Sequence, residues 1–323
     1  MMRTLLAVDI GGTNVRFAFA TEEGGGGVSL RDMRRYPAAG YPGLAEALGA
    51  FVRDVGRPLP DIAAIALAGP AESPPFRLTN SGWVLDSASL RAAFGFRRLM
   101  FLNDFAAMAH GVAALPPERL RRLFGQGEAL PACGAITVVG PGTGLGVGLV
   151  SRGPGGGRVI PTEGGHIGFA PVDAAEDRLL AALRARFGRV SAERLVSGPG
   201  LAAIWAALAP AEARAAEPET DAGLWRQALA GEKAGVRAAL RQLIRSYGAV
   251  AGDLALAHGA AAVVLAGGLT GRMVDDPLFV AFRARFCDKG RHRARMEGLP
   301  VFYADYPELG LFGVAVAGLA GEA

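Results

Sequence analysis

The chain has 323 residues, of which 51% are apolar and 20% are charged. This balance excludes intrinsic disorder and provides enough apolar side chains for two domains of ordinary size. The formal net charge of +4 includes 34 basic residues. The densest basic segment, 283–295, has little aromatic interleaving and no nucleic-acid motif beside it, so we expect a solvated face and no nucleic-acid partner.

The sequence predicts no membrane or export segment. The longest stretches without charged or strongly polar side chains, 259–269 and 309–321, are shorter than the roughly 20 residues of a membrane helix. Near the amino end, only Leu5 to Val8 separate Arg3 from Asp9, which is too short for the apolar region of a signal peptide. The two cysteines form no CxxC pattern, so neither a disulfide framework nor a zinc cluster is expected. We expect a cytoplasmic protein without a membrane partner.

The first half of the chain alternates predicted strands and helices. A buried strand at 5–10 is followed by a glycine turn at Gly11 and Gly12 and by a second strand at 15–20. The remaining predicted elements of this half are a helix at 44–55, strands at 62–68 and 99–102, and a helix at 106–113.

The second half repeats the same opening. It consists of a predicted strand at 135–139, a turn at Gly140 to Gly144 and a strand at 145–150. Val139 has the same place in this strand–turn–strand pattern as Val8 has in the first half. Helices at 174–187, 199–208 and 236–258, strands at 262–265 and 301–303, and a terminal helix from about 307 follow, with a surface excursion at 209–219. The repeat predicts duplicated α/β domains, 1–115 and 116–323, with a terminal helix that can pack back on the smaller one.

The glycine turns predict phosphate binding. Glycine accounts for 47 residues, about twice the ordinary share, and successive amides in a glycine turn form an anion-binding concavity. The chain contains no Gly-Lys pair, which excludes a Walker A loop. A dinucleotide fingerprint must open a helix, whereas a strand follows each turn here. Two such turns, one from each half, could hold a nucleoside triphosphate from both sides of a cleft.

The motifs resemble those of a known superfamily. VDIGGTNVR at 8–16 resembles the first phosphate motif of the sugar kinases, actin and the heat-shock ATPases, GPGTGLG at 140–146 resembles the second, and AGGL at 266–269 resembles the adenosine motif. Within the superfamily the chain is similar to bacterial glucokinases through LTN at 78–80, LNDF at 102–105, EGGH at 163–166, SGPG at 197–200 and FCDKG at 286–290. The resemblance implies two actin-like, ribonuclease H-like domains flanking a central cleft. It also implies ATP-dependent phosphorylation of glucose at its 6-hydroxyl.

A sugar site made of carboxylates, amides and a histidine is implied by the same resemblance, because these side chains meet donor and acceptor hydroxyls. The matching positions are Asn80, Asn103, Asp104, Glu163, His166 and Glu193. Asp104 has the position of the catalytic base, which takes the proton of the 6-hydroxyl as that oxygen attacks phosphorus. Taken singly, Asp104 could be a helix cap, and Glu193 could merely complement a helix dipole. Glu163 and His166 could be plain turn residues. Their joint occurrence with two phosphate turns favours the sugar site.

The implied nucleotide site draws on both turns and on the adenosine motif. Its residues are Asp9, Gly11, Gly12, Thr13, Asn14, Gly142, Thr143, Gly144, Gly267 and Gly268. The turn amides would stabilise the charge on the transferring phosphoryl group. Asp9 would hold Mg²⁺ through water, as a hard cation prefers, and the turn at Gly267 and Gly268 would admit the adenine.

Several alternatives stay open at this stage. The acceptor could be another hexose, the donor could be polyphosphate, or the chain could be a sugar-sensing protein without turnover. A single pocket side chain changes discrimination by only a few kcal/mol, so the sequence does not separate the hexoses. The resemblance also implies a possible homodimer.

Overall fold

The fold is described from a computed structural model that covers residues 3–69, 76–78, 82–154, 156–209 and 220–321. The chain divides into two compact units. The first unit comprises Met1–Pro116, Val159–Pro161 and Glu308–Ala323, and the second comprises Pro117–Arg158 and Thr162–Pro307. Apart from Ala209, the predicted excursion at 209–219 lies outside the described residues.

Strands form two main sheets and one small hairpin. The strands are β1 (Thr4–Ile10), β2 (Asn14–Glu22), β3 (Val28–Pro37), β4 (Ile62–Leu67), β5 (Phe76–Arg77), β6 (Val84–Leu85), β7 (Arg98–Asn103), β8 (Leu120–Phe124), β9 (Gly134–Pro141), β10 (Leu145–Gly153), β11 (Gly156–Thr162), β12 (Ala262–Leu265) and β13 (Val301–Ala304).

Helices connect and cover these strands. They are α1 (Leu44–Val55), α2 (Ser87–Phe94), α3 (Asp104–Ala114), α4 (Ala174–Phe187), α5 (Gly198–Leu208), α6 (Asp221–Ala230), α7 (Ala234–Ala257), α8 (Gly268–Met273), α9 (Val280–Cys287), α10 (Arg293–Gly298) and α11 (Leu309–Ala320). In the part of the chain that the structure describes, no helix is both long and apolar enough to cross a bilayer.

The first unit is a five-stranded sheet in the order β3-β2-β1-β4-β7, with helices on both faces. β1 pairs antiparallel with β2 and parallel with β4. Alternate residues of β1 point to opposite faces: Leu6 and Val8 pack in the cluster that contains α1, whereas Leu5 and Ala7 pack in the cluster that contains α11. Asp9 therefore lies on the α11 face, at the carboxyl end of β1.

The second unit repeats this arrangement. Its sheet has the order β11-β10-β9-β12-β13-β8. The β9–β10 pair is antiparallel, and β9, β12 and β13 run parallel, as β1, β4 and β7 do. Strand β8 adds an antiparallel edge. The shared strand order confirms the predicted duplication of an α/β domain.

The prediction that 283–295 forms a solvated basic face is wrong for Arg285. Within 283–295, Arg285 is buried and its Nη2 lies 3.4 Å from Oε2 of the fully buried Glu176. Arg293 pairs with Asp288 at 3.1 Å. The buried Glu176 needs cationic partners. One is Arg245 of α7, at 3.4 Å, and the other, Arg285, comes from a segment whose composition indicated solvent exposure.

Candidate functional site

The first phosphate turn closes the β1–β2 hairpin. The last strand pair is Ile10 with Val15. The amide of Gly11 donates to the carbonyl of Asn14 at 2.9 Å, and the carbonyl of Thr13 accepts from Ala38 at 2.9 Å. The amides of Gly12 and Thr13 have no acceptor among the described residues. These two amides can therefore donate to an anion, whereas the amide of Gly11 is used to shape the turn.

Asp9 is a buried carboxylate, 8% exposed, beside this turn. Burial raises the pKa of Asp9, and Arg16, whose Nη1 donates to Oδ2 at 2.8 Å, opposes that rise. The start of α11 approaches closely, because a Cβ at Gly310 would lie 3.3 Å from Oδ2. The positive end of the helix dipole and the guanidinium both favour the charged carboxylate.

Asp104 begins α3 at the end of β7. The cap of this helix is Asn103: its Oδ1 accepts from the amides of Phe105 at 2.9 Å and Ala106 at 3.1 Å, and its Nδ2 donates to the carbonyl of Gly69 at 3.2 Å. The reading of Asp104 as the helix cap is therefore wrong. The cap fixes the backbone from which the Asp104 carboxylate projects.

The second phosphate turn is supported from behind by α5. The amide of Gly142 donates to the carbonyl of Gly144 at 2.7 Å, and the carbonyl of Gly142 accepts from Gly198 at 2.8 Å. Gly198 is the first residue of α5, and its own carbonyl accepts from Trp225 Nε1 at 2.9 Å. Of the predicted donors in this turn, the amides of Thr143 and Gly144 have no acceptor within the described ranges. The amide of Gly142 is engaged within the turn.

Glu163 and His166 lie on one short 3₁₀ turn next to β10. Their side chains are exposed, 77% and 54%, with Glu163 Oε2 3.7 Å from His166 Nε2. The turn lies directly against the strand, since a Cβ at Gly165 would overlap the carbonyl of Leu145. Thr162 fixes its entry by donating to the carbonyl of Val147 at 3.1 Å.

Glu193 lies on the neighbouring segment. The amide of Ala192 donates to the carbonyl of Ile167 at 2.8 Å, and Arg189 donates to the carbonyl of His166 at 2.7 Å. The carboxylate of Glu193 accepts from the amide of Leu145, with Oε2 3.0 Å from the nitrogen. The second unit thus brings three predicted sugar residues together beside its phosphate turn.

The remaining predicted sugar residues are located elsewhere. Asn103 and Asp104 belong to the first unit, together with Asp9 and the first phosphate turn. Asn80 lies outside the described residues.

The adenosine motif is hydrogen-bonded to β9, the strand that leads into the second phosphate turn. Gly267 has a φ of +87°, a conformation that favours glycine, and it precedes α8. The amide of Ala266 donates to the carbonyl of Val139 at 3.0 Å. Thr270 donates to the carbonyl of Ala266 at 2.6 Å, and the hydroxyl of Tyr247 donates to the carbonyl of Val139 at 3.0 Å.

The hydroxyls of Tyr247 and Thr270 are buried and lie 3.1 Å apart. Sequence reasoning missed both residues, because Tyr247 lies within a long apolar helix pattern that only predicts core. Their network fixes the adenosine motif against β9.

The Tyr247→Phe variant is expected to raise the KM for ATP about two- to tenfold, because a buried hydrogen bond contributes roughly 0.5–1.5 kcal/mol. The KM for glucose should stay within about twofold. Steady-state kinetics with each substrate varied in turn measures both. Tyr36→Phe is the matched control, since it removes a tyrosine bond to Asp54 in the first unit. A Tyr247→Phe enzyme whose KM for glucose rises instead would contradict the assigned role.

The chain is similar to glucokinases over nearly its whole length. A sequence profile of the glucokinase family matches residues 6–320. A glucokinase of Zymomonas mobilis is 45% identical over 313 residues, which covers 97% of both chains. The crystal structure of a glucokinase from an Antarctic psychrotroph is 32% identical, has a TM-score of 0.82 and covers 98% of both chains.

A glucokinase of the ROK family from Streptomyces griseus, solved with glucose and AMPPNP, has the same fold, with a TM-score of 0.66 at 21% identity over 99% of this chain and 100% of its own. The profile and the Zymomonas relative span nearly the whole chain. The chain therefore belongs to the glucokinase family, with its actin-like ATPase fold and its ATP-dependent phosphorylation of glucose.

Proposed function

We propose that Asp104 is the general base that takes the proton of the glucose 6-hydroxyl as this oxygen receives the γ-phosphoryl group of ATP. The observation that carries this role is the capping of α3 by Asn103. Because Asn103 already caps the helix, capping does not explain why residue 104 is an aspartate. The first helical residue after a capped turn is held in a fixed place, and a carboxylate there can orient the acceptor hydroxyl and accept its proton.

The reaction is a single displacement. As O6 forms its bond to the γ-phosphorus, the bond from that phosphorus to the bridging oxygen breaks, ADP leaves, and the hydroxyl proton passes to Asp104. Charge accumulates on the equatorial oxygens of the loose transition state. The amides of Gly12, Thr13, Thr143 and Gly144 are the proposed donors to this charge. Gly11, Asn14, Gly142, Gly267 and Gly268 shape the nucleotide site.

Asp9 is the proposed magnesium residue. Among the described residues there is no group of three or more His, Cys, Asp or Glu side chains that could hold a metal ion. A single carboxylate is nevertheless adequate for Mg²⁺, which keeps several waters and takes its other ligands from substrate phosphates. Asp9 meets this need, because Arg16 occupies only Oδ2. Bound Mg²⁺ would neutralise charge on the β- and γ-phosphates.

Glu163, His166 and Glu193 are the proposed sugar ligands of the second unit, with Asn80, Asn103 and Asp104 contributing from the rest of the chain. The support is structural, since 163–169 and 189–195 are joined by the hydrogen bonds described above. Charged or neutral, these side chains offer the donors and acceptors that sugar hydroxyls need.

The variants Glu163→Ala and His166→Ala are expected to raise the KM for glucose about tenfold or more, while the KM for ATP stays within about twofold, because each removes hydroxyl contacts and no phosphate contact. Steady-state kinetics with a panel of hexoses, and with polyphosphate in place of ATP, would also separate the alternative substrates. Glu232→Ala, an exposed glutamate of the same unit, is the control. Selective damage to ATP binding would overturn the sugar assignment.

Two further proposals concern the setting of the enzyme. We expect it to act in the cytoplasm, where ATP is the available donor, without nucleic-acid or membrane partners, and to form a homodimer. Light scattering coupled to gel filtration tests the dimer, and a monomeric mass at micromolar concentration would refute it.

A further inference from the structure

We infer that Glu193 is a positioning residue for the second phosphate turn as well as a sugar ligand, so that sugar and nucleotide are coupled through one carboxylate. The inference rests on the proposed function for the sugar contact alone. The hold on the phosphate turn stands on the geometry of the second unit.

The carboxylate of Glu193 fixes the turn at its exit. Its Oε2 accepts from the amide of Leu145, the first residue of β10, at 3.0 Å. It also lies so close to Gly144 that a Cβ there would overlap it. A charge-assisted hydrogen bond to a backbone amide is stronger than a neutral one. Glu193 therefore restrains the two residues that follow Thr143.

The segment that carries Glu193 is itself fixed. The residues around it, Ala192, Leu195 and Val196, are buried. The amides of Leu195 and Val196 donate to the carbonyl of Ala192 at 3.1 and 2.9 Å. The Glu193 side chain thus projects from a rigid backbone segment. A change in the position of its carboxylate therefore moves the phosphate turn and is not relieved by movement of the 192–196 backbone.

The second oxygen of the carboxylate provides the coupling. Oε1 of Glu193 has no hydrogen-bond partner among the described residues, and a sugar hydroxyl that donates to it would restrict the side chain further. The ligand that binds first pays the entropy cost of ordering the Glu193 side chain. The ligand that binds second does not incur this cost again, which gives positive cooperativity. Glucose should therefore tighten nucleotide binding, and by reciprocity the nucleotide should tighten glucose binding.

The test compares Glu193→Ala with Glu193→Gln by titration calorimetry, using a non-hydrolysable ATP analogue without sugar. The two variants have the same charge, but only glutamine retains an oxygen that can accept from Leu145. We expect the analogue to bind about three- to tenfold more weakly to Glu193→Ala than to Glu193→Gln. With saturating glucose, wild type should bind the analogue about fivefold more tightly, and Glu193→Ala should show little or no gain.

The pair Glu163→Ala and Glu163→Gln is the matched control. Glu163 contacts His166 on the sugar turn, so these variants should weaken glucose binding and leave the sugar-free affinity for the analogue equal. Equal affinities for the two Glu193 variants, within about twofold, would overturn the inference even if the enzyme phosphorylates glucose. A wild-type protein that binds neither glucose nor the analogue would instead refute the proposed function.

A double-mutant cycle gives a second, independent measurement. Gly144→Ala places a methyl group where the Glu193 carboxylate lies, so it should weaken analogue binding in wild type by about the same factor as Glu193→Ala. In the Glu193→Ala background the same methyl group should have an effect within about twofold, because neighbours that act through one contact are not additive. Additive losses would show that the two residues act separately and would overturn the inference.

Discussion

The Asp104→Ala variant is expected to lose at least about 100-fold in kcat and to keep its affinity for nucleotide within about twofold. A general base contributes about 10²- to 10⁴-fold, and Asp104 is proposed to act on the acceptor hydroxyl and not on the phosphates. Helix capping survives the substitution because Asn103 provides it. Coupled ADP-release kinetics and calorimetry with a non-hydrolysable analogue measure the two quantities.

Asp221 provides the matched control for this substitution. It is the first residue of α6, directly after the capping Thr220, as Asp104 is the first residue of α3 after Asn103. Asp221→Ala removes an exposed carboxylate from the same helix position, and with it the same favourable interaction with a helix dipole. It should leave kcat unchanged. An Asp104→Ala enzyme that keeps more than about a tenth of wild-type kcat would contradict the role of base.

The duplicated hairpins could be predicted from the sequence because two strong local signals coincide there. In each half a short apolar run meets a glycine turn and a second apolar run, and the structure has β1–β2 and β9–β10 at these places. Helices α1 and α4 match their predicted bounds, since their apolar residues recur at helical spacing and a glycine follows each.

Edge strands escaped prediction for the opposite reason. Most of the central residues of β3 are exposed polar residues that show no alternation of apolar side chains. Its backbone pairing with β2 forms the strand, and backbone hydrogen bonds leave no trace in the sequence. The same holds for β8, whose sequence LRRLF has only one buried residue.

The residue types of the site could be predicted, but their mutual contacts could not. Gly144 lies in the GPGTGLG motif and Glu193 is one of the predicted sugar residues. Nothing in the sequence indicates that one packs on the other, because contacts between distant segments depend on the tertiary fold. The sequence alone also left open whether Asp104 merely caps α3, whereas the structure has Asn103 as the cap. Asn and Asp are nearly equal as caps, so only the observed bonds to Oδ1 of Asn103 decide between them.

Gly313→Ala is expected to destabilise the first unit by about 3 kcal/mol, the upper part of the usual range for overpacking. Helices α3 and α11 approach each other at glycines. A Cβ at Gly313 would overlap the carbonyl of Ala107 and lie 2.6 Å from the amide of Gly111. These neighbours are backbone atoms of a helix, which cannot rotate away as a side chain can, so the helices would have to separate.

Separation would also expose apolar surface, because α11 places Leu311 and Val314 in the core of the sheet. We expect the melting temperature to fall on the order of 5–10 °C in differential scanning calorimetry. Gly235→Ala is the control, as this glycine lies in α7 with open space around it and alanine there should be neutral or stabilising by up to about 1 kcal/mol. Because α3 begins at Asp104, the Gly313→Ala enzyme should lose kcat as well, at temperatures where it is still folded. An unchanged melting temperature and an unchanged kcat would show that α3 and α11 do not pack closely at these glycines. They would also show that α11 does not help to position Asp104.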